Sequence, residues 1–150
     1  MQNNGQSTAG QQQTMSVLWA ALLFSQLLFV VLIFFTKREL FDPRALGPVL
    51  GNNAPIIIAF GAVALAVVAA SFVLRKQNIN KAIETQNVMF VQTGLIIGCA
   101  LCEASSLLGV MLAFAFNYHY FFLWIGLGVV GMLFHFPRRA DIEAANFKKI

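Results

Sequence analysis

The sequence predicts an all-α integral membrane protein with four transmembrane helices, and three observations lead there. Of its 150 residues 59% are hydrophobic and only 11% charged, whereas soluble domains carry about 25% charged residues; the mean hydropathy is +0.74. The apolar residues gather into four runs, at about 16–36, 55–74, 88–116 and 120–136. The ten basic residues fall at the run ends: Lys37, Arg38 and Arg44; Arg75, Lys76 and Lys81; Arg138, Arg139, Lys148 and Lys149. Helices that stop at a charged membrane interface leave that pattern, so the net charge of +4 marks membrane boundaries and no nucleic-acid partner is expected. The expected organisation is a disordered polar tail over 1–14, a four-helix transmembrane domain over 15–137 and a basic cytoplasmic tail over 138–150.

Residues 1–14 are rich in Gln, Asn and Gly and hold no charged side chain, too little apolar content to pack. With no basic leader and no small-x-small cleavage site, no cleaved signal is expected. Ser16 to Thr36 forms the first span, with Ser25 and Gln26 as its strongly polar residues and Lys37-Arg38-Glu39 as its stop. A lone Gln in such a span most often bonds a neighbouring helix. Turn signals follow in series: Asp42-Pro43, Gly47-Pro48 and Gly51-Asn52-Asn53. Asn53 suits a helix cap and Pro55 a first helical turn.

The second span, Pro55 to Leu74, places Ala62, Ala66 and Ala70 four apart on one face. Without a hydrophobic drive between helices in lipid, small residues that permit close approach mark the packing face. Gln77 to Gln86 reads as a polar hairpin loop. The third span repeats the small-residue spacing with Gly94, Gly98, Cys102 and Ser106. The fourth, Tyr120 to Phe136, is short and ends at Pro137-Arg138-Arg139. The basic loops orient the chain. With both termini and the second–third connection in the cytoplasm, seven of the ten basic residues lie inside.

Between Val88 and Phe116 a single residue, Glu103, carries a charge, with fifteen residues of the run before it and thirteen after. A carboxyl near the bilayer mid-plane costs several kcal/mol and is a functional hypothesis by default. Hydrocarbon favours its neutral form. Cys99 and Ala100 lie one turn before it and Ser106 one turn after, a small-residue niche that a second helix can approach closely. A neutral Glu there can carry a proton, or it can bond a carbonyl or Gln26 between helices in a structural subunit.

The stretch from about 53 to 116 resembles the proteolipid subunit c of F-type and V-type rotary ATP synthases, as a divergent four-helix relative. The residues that carry the likeness are Arg75 and Gln77-Asn78, Met89-Phe90, and GLIIGCALCEASSLLGVMLAFAF at Gly94–Phe116. Within the last, Ala100-Leu101-x-Glu103-Ala104 and Leu108-Gly109-x-x-Leu112-Ala113-Phe114 are nearest the pattern around the family's acid. The resemblance implies a helical hairpin and a proton carrier at Glu103, with Cys99, Ala100, Ser106 and Gly109 shaping its niche. It implies a loop contact through Arg75, Gln77 and Asn78. It also implies a homo-oligomer, or other membrane subunits that supply a cation, in a multi-pass protein of a prokaryotic inner membrane. Neither cofactor nor metal is implied. Ala104 directly after the acid and a second span without Gln point to a proton in preference to sodium. The departures are Ala62-x-Ala64-x-Ala66 where the family alternates glycines, a loop without proline, and a first and fourth span with no counterpart in a two-helix subunit.

Cys99-x-x-Cys102 has a redox spacing, but it lies as deep as Glu103 and has no second cysteine pair. A thiolate is disfavoured in lipid, so packing is its expected role. His119 and His135 stand at opposite ends of the fourth span, are expected at the two interfaces, and cannot share a metal.

Overall fold

The computed structural model describes residues 4–50 and 53–146. Every regular element among them is helical: α1 (Asn4–Thr36), two short 3₁₀ turns (Arg38–Phe41 and Pro43–Ala45), α2 (Ala54–Thr85), α3 (Met89–Phe116), α4 (Phe122–Leu133) and α5 (Arg139–Asn146). The stretch Thr8–Thr36 of α1, α2 and α3 are each long and apolar enough to cross a membrane. α4, expected to span Tyr120–Phe136, has 12 residues, about 18 Å of helix against a hydrocarbon core of roughly 30 Å. The turn at Asn117–Phe121 delays its start, and the non-helical run before Pro137 ends it early.

Two stretches expected to be irregular are helical. The tail is α-helical from Asn4 onward, residues 1–3 lying outside the described ones, and it packs through Thr8 and Met15, both almost wholly buried. Of the expected hairpin loop at 77–86, all but Gln86 is the last part of α2. No Gly or Pro interrupts residues 75–86, and Ala82, 0% exposed, sits in a core cluster with Met15, Ile142 and Ala145. Polar composition there reflects the outer faces of helices that pack on one another, not a loop. The true connection is three residues, Gln86 to Val88. Gln86 adopts the left-handed conformation at φ 51° and donates its N–H to the Ala82 carbonyl. Asn87 Oδ1 accepts the Met89 N–H, capping α3 from one residue before its N-cap, Val88. Asn117, φ 48°, ends α3 in the same left-handed form, which Asn tolerates better than most residues.

α3 is the central post, packed against α2, α4 and α1. The starts of α1 and α3, the end of α2 and the whole of α5 meet at one end of the bundle. At the other end Tyr118 and Tyr120 donate their hydroxyls to the Val49 and Gly47 carbonyls and hold the linker. Burial, with Tyr120 beside it, pushes ionisation of Tyr118 above the ordinary phenol range.

The packing face of α2 is Ile57, Ala64, Val68 and Ser71; Ala62, Ala66 and Ala70 are exposed. The expected face is thus displaced around the helix. The observed face is not a uniform row of small residues: Ala64 lies in a cluster with Ile57 and Leu112 of α3, and Val68 meets Gly131 of α4.

On α3 the small residues face inward. Gly98 lies under the imidazole of His135, and a Cβ at that position would collide with the ring. Overpacking of this kind costs about 1–3 kcal/mol. Gly98→Ala is therefore expected to lower the thermal unfolding midpoint in detergent micelles, whereas Gly126→Ala, which points into open space, is expected not to.

Candidate functional site

The inward face of α3 meets its neighbours rung by rung. Gly94 faces Arg75 and Asn78 of α2. Gly98 receives His135. Cys102 lies 3.6 Å from Ser71 Oγ and against Gly131 of α4. Ser106 stands over Gly128, where a Cβ would strike its hydroxyl. Gly109 sits beneath the Phe121 carbonyl and Trp124. Ser105 donates to the Trp124 carbonyl at 3.3 Å.

α1 closes over α3 and α4 with three polar side chains. Trp19 Nε1 donates to the Met132 carbonyl at 2.8 Å, and the indole meets Phe136 edge-on. Gln26 is wholly buried. Its Oε1 accepts from Ser106 Oγ at 2.7 Å, and its amide nitrogen points to Met132 Sδ at 3.6 Å. Ser25, its neighbour, reaches the other polar residue of α3: Ser25 Oγ and Glu103 Oε1 are 2.7 Å apart. The same Oγ lies 2.7 Å from the Leu22 carbonyl.

Glu103 is the fifteenth of the 28 residues of α3, counting Met89 as the first. It is half-buried, at the seam of α1 and α3 and off the central column. Among the described residues Ser25 is its hydrogen-bond partner, and the two ion pairs lie elsewhere: Arg75 with Asp141 at 3.5 Å, and Arg139 with Glu143 at 2.7 Å. Neither α1 nor α3 contains a basic residue.

Of the expected niche, Cys99, Ser106 and Gly109 are buried, and Ala100 is exposed. Ser106 turns to Gln26, and Gly109 to the start of α4; the group that closes on the acid comes from α1. Arg75, Gln77 and Asn78, expected in a loop, are on helix α2. Arg75 is occupied within the fold, donating to the Phe136 carbonyl and to Asp141. Gln77 is exposed, and Asn78 donates to the Leu74 carbonyl one turn back. Cys99 and Cys102 are buried free thiols.

His135, expected at an interface, is 0% exposed. Its Nδ1 lies 2.8 Å from the Gly131 carbonyl, its ring packs against Phe72 at 4.6 Å, and its Nε2 is buried with no hydrogen-bond partner. Its signal in the sequence was the spacing of four from Gly131, which lets an imidazole bond back to a carbonyl one turn earlier. Ser25 and Ser71 gave weaker signals, since a serine in an apolar run so often bonds its own helix. No group of three or more metal-ligating side chains occurs among the described residues. Comparison with known protein families, curated proteins and solved structures finds no match, so the likeness to subunit c rests on the residues quoted above.

Gln26 and Ser106 are expected to be energetically coupled. Interhelical hydrogen bonds in lipid are worth about 0.6 kcal/mol on average and up to about 2. A double-mutant cycle of Gln26→Leu and Ser106→Ala, followed by unfolding in mixed micelles, should return a coupling in that range. Additive losses would show that the bond contributes nothing.

Proposed function

We propose that this chain is a proton-binding subunit of a larger membrane complex, with Glu103 taking up and releasing a proton at mid-bilayer. One observation carries the reading: halfway along a membrane-length helix, the acid has a neutral hydroxyl for its hydrogen-bond partner and, among the described residues, no ion-pair partner. An ionised carboxyl carried into hydrocarbon costs several kcal/mol unless a cation answers it. Release then needs a cation brought close. α1 and α3 hold none, so another subunit supplies it. The likeness to the subunit c proteolipid, carried by the residues around Glu103 itself, points to the same chemistry. In this reading α4 and its flanks make a fourth crossing, and both termini and the α2–α3 turn face the cytoplasm. The outward stripe of Ala62, Ala66 and Ala70 receives a second copy or another membrane subunit.

A second reading has an observation of its own. The Ser25–Glu103 contact joins α1 to α3, so the carboxyl also serves as interhelical glue in a structural or assembly subunit. The two readings part on Glu103→Gln, which keeps a hydrogen-bonding side chain but loses the exchangeable proton. Under the proton-carrying reading this variant abolishes proton coupling of the complex while the protein still inserts and assembles. Under the structural reading coupling is unchanged.

Dicyclohexylcarbodiimide reacts with a protonated carboxyl in lipid. Labelling of Glu103 that fades as pH rises and ignores sodium is the expected outcome. A Glu103 that never labels, or one protected by sodium, would overturn the proposal.

A further inference from the structure

Ser25 stands in two short contacts at once: its Oγ is 2.7 Å from the Leu22 carbonyl and 2.7 Å from Glu103 Oε1. A serine hydroxyl has one proton to donate and two lone pairs that accept. The carbonyl of Leu22 can only accept, so the Ser25 proton is the only one available to that contact. If it is spent there, the second contact holds only when Glu103 brings a proton of its own. With an ionised Glu103, the single Ser25 proton would have to be divided between two acceptors, or one of the two contacts would set lone pairs against each other at hydrogen-bonding distance.

The same pattern occurs one helix away, where the counting closes. Ser71 Oγ lies 2.6 Å from the Val68 carbonyl and 3.6 Å from Cys102 Sγ, and there the thiol has a proton to give. Ser71 can thus commit its proton to the preceding turn and receive one from the partner helix, whereas Ser105 and Ser106 donate across to α4 and α1.

We infer that Glu103 is protonated in this arrangement, and that Ser25 is the residue that positions its proton. The Glu103 O–H donates to Ser25 Oγ, and Ser25 O–H donates to the Leu22 carbonyl. This rests on reading Glu103 as the proton-holding acid and adds that α1 forms half of the proton's site. The ligand class is a single proton. Both oxygens of the α1 half already take part in a closed relay that needs the acid hydrogen to complete it.

The test is infrared spectroscopy of the full chain in lipid nanodiscs near neutral pH, reading the carbonyl stretch of a protonated carboxylic acid. The band is assigned to Glu103 by its loss in Glu103→Gln, with Glu103→Asp as a second assignment variant should the Gln protein fail to insert. The expected result is a protonated band in the wild type, moved to higher frequency by Ser25→Ala, restored by Ser25→Thr, and unaffected by sodium. A wild-type Glu103 seen only as carboxylate overturns the inference. So does a band that Ser25→Ala leaves in place. A band that behaves as expected, in a complex whose proton coupling survives Glu103→Gln, sinks the transport function while leaving the Ser25 relay intact.

Discussion

Hydrocarbon offers no hydrogen bonds, so every polar group carried into it must be answered from within the protein. That constraint decides where α1 sits. Most of the helix is apolar and outward: Val17, Phe24, Leu27, Leu28 and Phe35 are each more than half exposed. Lipid solvates such side chains as well as protein does, so they cannot fix the helix in register. Trp19, Ser25 and Gln26 can. Each has a partner at one height, on Met132, Glu103 and Ser106 in turn. At its far end the helix is tied through Lys37 Nζ, which donates to Asn117 Oδ1 at 2.6 Å.

Those partners are within reach because α3 and α4 approach closely. Gly128 and Gly131 remove the side chains that would hold α4 away from Cys102 and Ser106. Gln26 Oε1 enters the notch left beside Gly128, where an added Cβ would lie 3.2 Å from it. Small residues and polar residues are thus one device: the first bring backbones near, and the second use the nearness. Arg75 does similar work at the membrane end. It reaches the carbonyls of Phe134 and Phe136 past the end of α4, and also Asp141 on α5. A helix too short to cross hydrocarbon alone is fastened at its end by a charge on its neighbour.

Much of this was legible in the sequence. The three long spans follow from hydropathy alone, and the spacing of Gly94, Gly98, Cys102 and Ser106 pointed to the face of α3 that meets other helices. Glu103 stood out as the sole charge in its run. The hidden parts were those set by tertiary packing. Residues 4–14 and 77–86 are polar, and their helical state depends on a core that Met15, Ala82, Ile142 and Ala145 build from distant parts of the chain. The alanine stripe of α2 lies outside the chain's own packing face, because that face mixes Ala64 and Ser71 with the larger Ile57 and Val68. His135 read as interfacial because its depth depends on how far α4 falls short of a full span. Ser25 was noted as polar, but nothing in the sequence said that α1 would lie along α3 and turn it onto Glu103.

The position of Glu103 at a seam, and not in the central column, governs what a change in its charge can move. The rungs from Gly94 to Gly109 do not include it, so under the proposed function a change of its charge bears first on the seam with α1. The effect falls on α1. An ionised Glu103 must be served by the Ser25 hydroxyl, which then abandons the Leu22 carbonyl; the clasp survives, but the relay gives up one bond in a medium that supplies no substitute. By linkage, any preference of the docked α1 for one protonation state of Glu103 is matched by an equal effect of that state on the docking of α1. Gln26 holds the same helix through Ser106 without touching the acid, so the seat of α1 does not depend on Glu103 alone.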